Sequence, residues 1–275
     1  MKNTVLTFSK KKSEGKKITV LTAYDYTMAK LFNDSGVDVI LVGDSLGNVI
    51  MGYEDTLPVT MDDMVRHCSA VARAADKAMV VADMPFMSYQ VSVEEALRNA
   101  GRLMQEGRAN AVKLEGGTRV CPQIRALVDA GIPVMAHLGL TPQSINAFGG
   151  YRVQGKTQDQ AAKMLSEALA VQEAGAFSLV LECVPMQLAS LITQKLDIPT
   201  IGIGSGAGCD GQVLVAQDML GMTQGSSPKF VKCFAPVGEM IKKAASDYIQ
   251  EVENGTYPSE EYSFSIGDEI IKKLY

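Results

Sequence analysis

Four acids stand where short apolar runs come to an end. Asp44, Asp83, Glu115 and Glu182 each close or directly follow a run with the composition of a buried strand. Charged groups seldom sit at the buried end of such a run without a partner or a metal. Lys113 lies two residues before Glu115, which on a strand turns both side chains to one side. His137 closes a further run, and a glycine-rich turn, Gly202-Ile203-Gly204-Ser205-Gly206, follows another. Singly, each has a plain structural reading. Asp44 before Ser45 suits a helix or turn cap, Asp83 before Met84-Pro85 suits turn chemistry, and Lys113 with Glu115 suits an ion pair. His137 fits a pocket role and a structural role equally, whereas His67 lies within a helical pattern and reads as an ordinary polar residue. The glycine turn is not a dinucleotide fingerprint, which should follow the first strand of a βαβ unit and be answered by an acid about 20 residues on.

Together the plain readings are harder to hold. Asp44, Asp83 and Glu115 come from three consecutive runs. Carboxylate oxygens without thiols or imidazoles among them suit a hard cation such as Mg2+. Glu182 belongs to a different run and is free to act as a base rather than a ligand.

These residues require a scaffold that brings the ends of successive strands to one place. The apolar runs are Ile18–Ala23, Val37–Val42, Ala78–Ala82, Ala109–Leu114, Ile132–His137, Phe177–Glu182, Pro199–Ile203 and Phe230–Phe234. Several are continuously apolar, as expected of strands covered on both faces of a parallel sheet. Helical patterns separate them. One covers about Met61 to Ala75, with Thr60 as N-cap and Asp62 and Asp63 in its first turn. Another follows Ser92, whose spacing to Glu95 fits a capping box. A third covers Gln158–Ala174 and stops at Gly175. Alternating strands and helices imply right-handed βα units and a parallel sheet. The fold class expected is α/β, a (β/α)8 TIM barrel forming a single domain over residues 1–275. Residues 237–275 are read as a C-terminal helical segment. An open doubly wound sheet is the alternative. In a barrel the active site lies at the C-terminal ends of the strands, where these polar residues fall.

The 275 residues suit one such barrel, which typically needs about 250. With 47% hydrophobic residues a large core can form, and a net charge of -5 argues against bulk nucleic-acid binding. The five cysteines are scattered and include no C-x-x-C pair, which speaks against a disulfide framework or a zinc site. Reduced thiols in a cytoplasmic protein are the simplest reading. The lysine-rich N-terminal stretch lacks the order of a secretory signal, and no apolar run approaches the roughly 20 residues of a bilayer span.

The chain resembles the ketopantoate hydroxymethyltransferase family. The matching segments include "TAYD" at Thr22–Asp25, "GDSLGNV" at Gly43–Val49, "PVTMDDMVRH" at Pro58–His67, "ADMPFMSY" at Ala82–Tyr89 and "AVKLEGG" at Ala111–Gly117. They continue through "GIPVMAHLGLTPQS" at Gly131–Ser144, "GGYRVQG" at Gly149–Gly155, "LECVP" at Leu181–Pro185, "IPTIGIGSGAGCDGQVLV" at Ile198–Val215 and "SPKFVK" at Ser227–Lys232. The likeness runs in order from about Ile18 to Val237. Ser205 departs from it, standing where many members carry alanine, as does the "EEYSF" of Glu260–Phe264.

The resemblance implies a (β/α)8 barrel assembled as a homodecamer. It implies Mg2+ held by Asp44 and Asp83, with Glu115 as a further ligand directly or through water. It implies a keto-acid site at Asp44, Ser45, Asp83 and Lys113, a general base at Glu182, and a pocket position at His137. The implied reaction transfers a hydroxymethyl group from 5,10-methylenetetrahydrofolate to 3-methyl-2-oxobutanoate, the first step of pantothenate biosynthesis. A nearer rival is a Mg2+ barrel of the phosphoenolpyruvate mutase and isocitrate lyase type, whose Lys-x-Cys-Gly-His loop the chain lacks. A barrel that binds ligands without catalysis is the more distant one.

Overall fold

The structure is a computed structural model that describes residues 2–223, 225 and 228–274. Eight strands, β1 Ile18–Thr22, β2 Val39–Val42, β3 Met79–Asp83, β4 Ala111–Glu115, β5 Val134–Gly139, β6 Ser178–Glu182, β7 Thr200–Ile203 and β8 Gly211–Leu214, form a closed barrel in chain order. Every neighbouring pair is parallel, and β8 pairs with β1 to close the ring. The expected TIM barrel is therefore the fold, and the open doubly wound alternative falls.

Strand parity explains both the core and the site. Side chains alternate between the barrel interior and the helix layer. Ile18, Val20, Val39, Leu41, Met79, Val81, Ala111, Met135, Val180, Ile201 and Val213 form one buried interior cluster. Asp83, Lys113, Glu115, His137 and Glu182 continue the same inward rows by steps of two, at the C-terminal ends of β3 to β6.

The helices between strands follow their capping signals. The Met61–Ala74 helix starts at Thr60, which forms a capping box with Asp63. The Val93–Gln105 helix starts at Ser92, whose hydroxyl accepts from the Glu95 N–H. Glu95 completes no box, because its carboxylate accepts from Asn99 instead. The Gln158–Glu173 helix ends beside Gly175, whose φ is +101°. His67 is half-buried and its Nδ1 lies 2.6 Å from the Tyr24 carbonyl, a structural contact.

Two elements differ from the sequence reading. The eighth strand is Gly211–Leu214, not Phe230–Phe234. It is short and begins with glycine, so it shows no apolar run. A Cβ at Gly211 would lie 2.5 Å from the Ile18 carbonyl oxygen, so only glycine lets β8 approach β1 this closely. Phe230 instead packs on the barrel interior and over Gly204. The second difference is an additional helix, Val5–Ser13, across the N-terminal end of the barrel. Its Phe8 is 1% exposed and meets Phe177 edge-on at 5.1 Å. Its lysines are anchors: Lys11 pairs with Asp38 at 2.5 Å and Lys12 with Asp210 at 2.8 Å.

The chain divides into two compact units, the barrel and a second unit covering residues 217–227 and 232–275. The second contains the Val237–Glu253 helix, followed by a short 3-10 turn and the Asp268–Ile271 helix. Tyr257 packs against Tyr248 and Tyr262, with ring centroids 5.7 and 5.8 Å apart. No helix among the described residues is long and apolar enough to cross a membrane.

Candidate active site

At the C-terminal mouth of the barrel the strand register brings the charged residues side by side. Asp83 pairs across to Lys113, Glu115 to His137, and Gly139 to Glu182. A cavity of about 100 Å³ opens among them, lined by Asp44, Ser45, Asp83, Lys113, Glu115, His137 and Glu182. All seven residues singled out in the sequence thus face one small chamber. Its remaining wall is largely apolar, including Leu41, Val180, Ile203, Val213 and Val215.

Lys113 sits at the centre of the charges. Its Nζ is 3.1 Å from Asp83 Oδ1, 3.9 Å from Glu115 Oε1 and 3.3 Å from His137 Nδ1. Burial alone would discharge it, but the Asp83, Glu115 and Asp44 carboxylates outweigh that and raise its pKa. Asp44 is raised well above the usual carboxylate range, by burial first and then by the charges of Asp83 and Glu115. Asp83 is also raised by burial, with Lys113 and the Asp44 N–H pulling the other way. Glu115 is lowered, since its contacts with His137 and the Lys113 charge overcome its burial. Burial and Lys113 work against a charge on His137. Its contacts with Glu115 at 3.4 Å and Glu182 at 3.3 Å prevail and hold its pKa at about 9.

Local structure aims the two residues that do not end strands by simple parity. Asp44 follows Gly43 in the turn after β2, and its N–H donates to Asp83 Oδ2 at 3.0 Å. Ser45 is held by Tyr24, hydroxyl to hydroxyl at 2.8 Å. Glu182, whose side chain is 16% exposed, is followed by Cys183 in a left-handed conformation with φ +50°. A non-glycine residue held there is strained and marks a turn over-determined by its surroundings. Ser205 supplies part of that constraint. Its hydroxyl donates to the Leu181 carbonyl at 2.7 Å and accepts from the Val184 N–H at 3.1 Å, bracketing Glu182 on both sides. Opposite, a Cβ on Gly139 would fall 2.1 Å from the Glu182 carbonyl oxygen, so the close approach of β5 to β6 requires glycine.

Gln143 was not singled out in the sequence, and it organises the chamber's edge. Its Nε2 donates to Asp44 Oδ2 at 2.8 Å and to the Met84 carbonyl at 2.9 Å. Its Oε1 accepts from the Tyr89 hydroxyl at 2.7 Å, and its N–H donates to Glu115 Oε2 at 3.1 Å. Tyr89 in turn accepts from the Glu115 N–H at 3.1 Å. An amide in a Thr-Pro-Gln-Ser turn carries no local sign of this role. Its place in the quoted segment Gly131–Ser144 was the one available signal.

An arrangement of buried carboxylates about one ammonium, with a carboxylate facing an apolar wall, suits proton transfer at carbon next to a polarised carbonyl. The family model for ketopantoate hydroxymethyltransferase matches residues 2–260. The chain belongs to the ketopantoate hydroxymethyltransferase family. Within the ketopantoate hydroxymethyltransferase family, a Clostridium novyi protein named 3-methyl-2-oxobutanoate hydroxymethyltransferase is 62% identical over 275 residues, covering 100% of both chains. An Enterococcus faecalis protein of the same name is 58% identical, again over 100% of both. Among solved structures, a phosphonopyruvate hydrolase aligns with TM-score 0.63 at 12% identity, covering 99% of this chain and 98% of that one. A 2,3-dimethylmalate lyase aligns with TM-score 0.60 at 15% identity, covering 100% and 95%. At such identities these two share the fold of this ketopantoate hydroxymethyltransferase family member, and nothing finer follows from them.

The Gln143 network leads to a stability prediction. Gln143→Leu removes the side-chain partner of three buried groups, Asp44, the Met84 carbonyl and the Tyr89 hydroxyl, and leaving such groups unpaired costs about 1–3 kcal/mol. Denaturant unfolding should register a loss in that range, and an unchanged midpoint would show that the network does not hold the mouth of the barrel together.

Proposed function

We propose that the protein transfers a hydroxymethyl group from 5,10-methylenetetrahydrofolate to 3-methyl-2-oxobutanoate, giving ketopantoate and tetrahydrofolate. This is the opening step of pantothenate biosynthesis, carried out in the cytoplasm. The observation that carries the reading is the two-sided chamber. Its Lys113 ammonium and Ser45 hydroxyl suit the keto and carboxylate oxygens of a small keto acid, and its apolar residues suit a branched alkyl group. The names of the full-length relatives support the same acceptor.

The residues present fit a divalent cation. Asp83 Oδ1 and Glu115 Oε1 are buried and fall short of well-formed hydrogen bonds, with Lys113 Nζ at 3.1 Å from the first and His137 Nδ1 at 3.4 Å from the second. Four carboxylates face one ammonium and one imidazole across the chamber, so negative charge is in excess even with both of those cationic. Among the described residues no three acid, imidazole or thiol groups form a ready-made ligand cluster. The ligands that the resemblance implies, Asp44 and Asp83 with Glu115 directly or through water, all line the chamber and would hold the ion. Bound there, Mg2+ supplies Lewis-acid polarisation of the keto oxygen and a template for the keto acid.

The chain's own groups account for the proton transfer. Lys113 and Ser45 orient the acid's oxygens, and the Lys113 charge favours the enolate over the ketone. Leu41, Val180, Ile203 and Val213 hold the alkyl group and keep water from C3. Glu182 faces this wall and takes the C3 proton. His137, 3.3 Å away, holds the carboxylate in place. One water opens both C–N bonds of the folate methylene, leaving tetrahydrofolate and the carbon at the formaldehyde level. The C3 carbanion attacks that carbon, and the alkoxide so formed takes the proton held on Glu182 to become the hydroxymethyl group.

The assembly proposed is a homodecamer. The Val237–Glu253 helix has no buried residue and leaves Met240, Ile241, Tyr248, Ile249 and Val252 between 45% and 63% exposed along one side, an apolar stripe suited to a second copy.

Three measurements test the reading. For the base, Glu182→Gln keeps size and removes the basic oxygen. Exchange of the C3 proton in D2O, followed by NMR, should fall by roughly 10²–10⁴-fold. Keto-acid affinity should change far less, because the base acts in the transition state. Exchange near the parental rate would remove Glu182 from the role. For the metal, Asp44→Asn or Asp83→Asn should weaken Mg2+ binding measured by calorimetry with keto acid present, and unchanged affinity rejects those ligands. For assembly, sedimentation at micromolar concentration should give a decamer, which a fully active monomer would contradict.

A further inference from the structure

Beside the keto-acid chamber lies a larger cavity of about 580 Å³. The segments after β3, β4 and β5 bound it, together with the Gln158–Glu173 helix. Glu115 borders both cavities. Gln143 lines the larger one while its amide holds Asp44 in the smaller. The two spaces therefore share a wall one side chain thick. The proton transfer derived above uses nothing else in the larger cavity.

Its lining has a definite chemistry. Gln123 is buried, and its Nε2 donates to the Tyr89 carbonyl at 3.2 Å. Its Oε1 is buried with no hydrogen-bond partner. A buried acceptor left unpaired is destabilising unless a ligand donor reaches it. Phe86 and Phe148 offer aromatic surface. The cations Arg119 and Lys163 are exposed on its margin. Lys163 is only loosely met by Glu167 at 3.9 Å, and its side chain is 74% exposed. An unpaired acceptor inside, aromatic faces and cations outside match a flat heterocycle with N–H donors on its edge and an anionic tail.

Size supplies the remaining argument. The chamber of about 100 Å³ has room for a small keto acid but not for a bicyclic ring beside it. A carrier that hands one carbon to that acid must dock outside the chamber and against it. We propose that the larger cavity is the donor subsite, seating the pterin of a reduced folate against Gln123 and the two phenylalanines, with the glutamate tail toward Arg119 and Lys163. This rests on the hydroxymethyl-transfer reading above and adds the place where the donor binds.

The test titrates tetrahydrofolate, kept reduced under anaerobic conditions, into the full chain with Mg2+ and keto acid present. Calorimetry reads binding. C3-proton exchange without folate, measured in parallel, reports whether the barrel mouth is intact. The variants are Gln123→Leu and, as a surface pair that leaves the interior alone, Arg119→Ala with Lys163→Ala. Loss of one buried hydrogen bond should weaken tetrahydrofolate binding about tenfold in Gln123→Leu. The surface pair should weaken it too, with the deficit shrinking as salt rises. Folate-free exchange should persist in both. Parental binding by both variants would overturn the subsite while leaving the transfer reading standing. A parental chain that exchanges the C3 proton yet binds no tetrahydrofolate would overturn the folate donor and the subsite together. If Gln123→Leu also loses exchange, the surface pair decides.

Discussion

The Lys113 ammonium is the interaction around which the mouth of the barrel is arranged. It is buried, 3.1 Å from Asp83, and close to Glu115 and His137. Taking one charge from water is costly, and a buried ion pair is tolerated only where geometry and further hydrogen bonds compensate. Here the compensation comes from Gln143, Tyr89 and the Asp44 N–H, each bonded to one of the acids or to its backbone. The cluster is thus a single unit. Its pKa shifts oppose one another in a consistent way, with Asp44 and Asp83 raised, Glu115 lowered and Lys113 and His137 raised.

A barrel makes such a cluster possible by separating stability from chemistry along its axis. At the N-terminal end the Val5–Ser13 helix closes the interior with Phe8 and ties itself down through Lys11 and Lys12. The middle is an apolar filling to which all eight strands contribute. Only at the C-terminal end do the inward rows turn polar. The cost of burying charges is carried by the continuous parallel ladder beneath, which closes without an edge.

Glu182 differs from the other acids because its surroundings differ. It lies beside His137 and is partly exposed, on the side of the chamber away from Asp44 and Asp83 in strand order. The strained Cys183 and the hydroxyl of Ser205 fix the turn that carries it. Ser205 acts directly on the segment holding the proposed base.

The sequence by itself determined the barrel and most of the chamber. Continuous apolar runs separated by capped helices dictate buried parallel strands, and a period of two puts Lys113 and Glu115 on one face before any coordinates are known. Acids at the ends of those runs are legible because burial without a partner is costly. Tertiary structure alone decided the rest. The eighth strand is four residues long and opens with Gly-Gln, so it carries no apolar signature, and its place depends on how closely its backbone can approach Ile18. The N-terminal helix is polar over much of its length, and only the open end of a barrel gives Phe8 somewhere to go. Gln143 and Gln123 are amides in unremarkable segments. Their roles arise from partners far away in the chain, Asp44 for one and Tyr89 for the other, and no local pattern encodes a contact that exists only once the strands have closed.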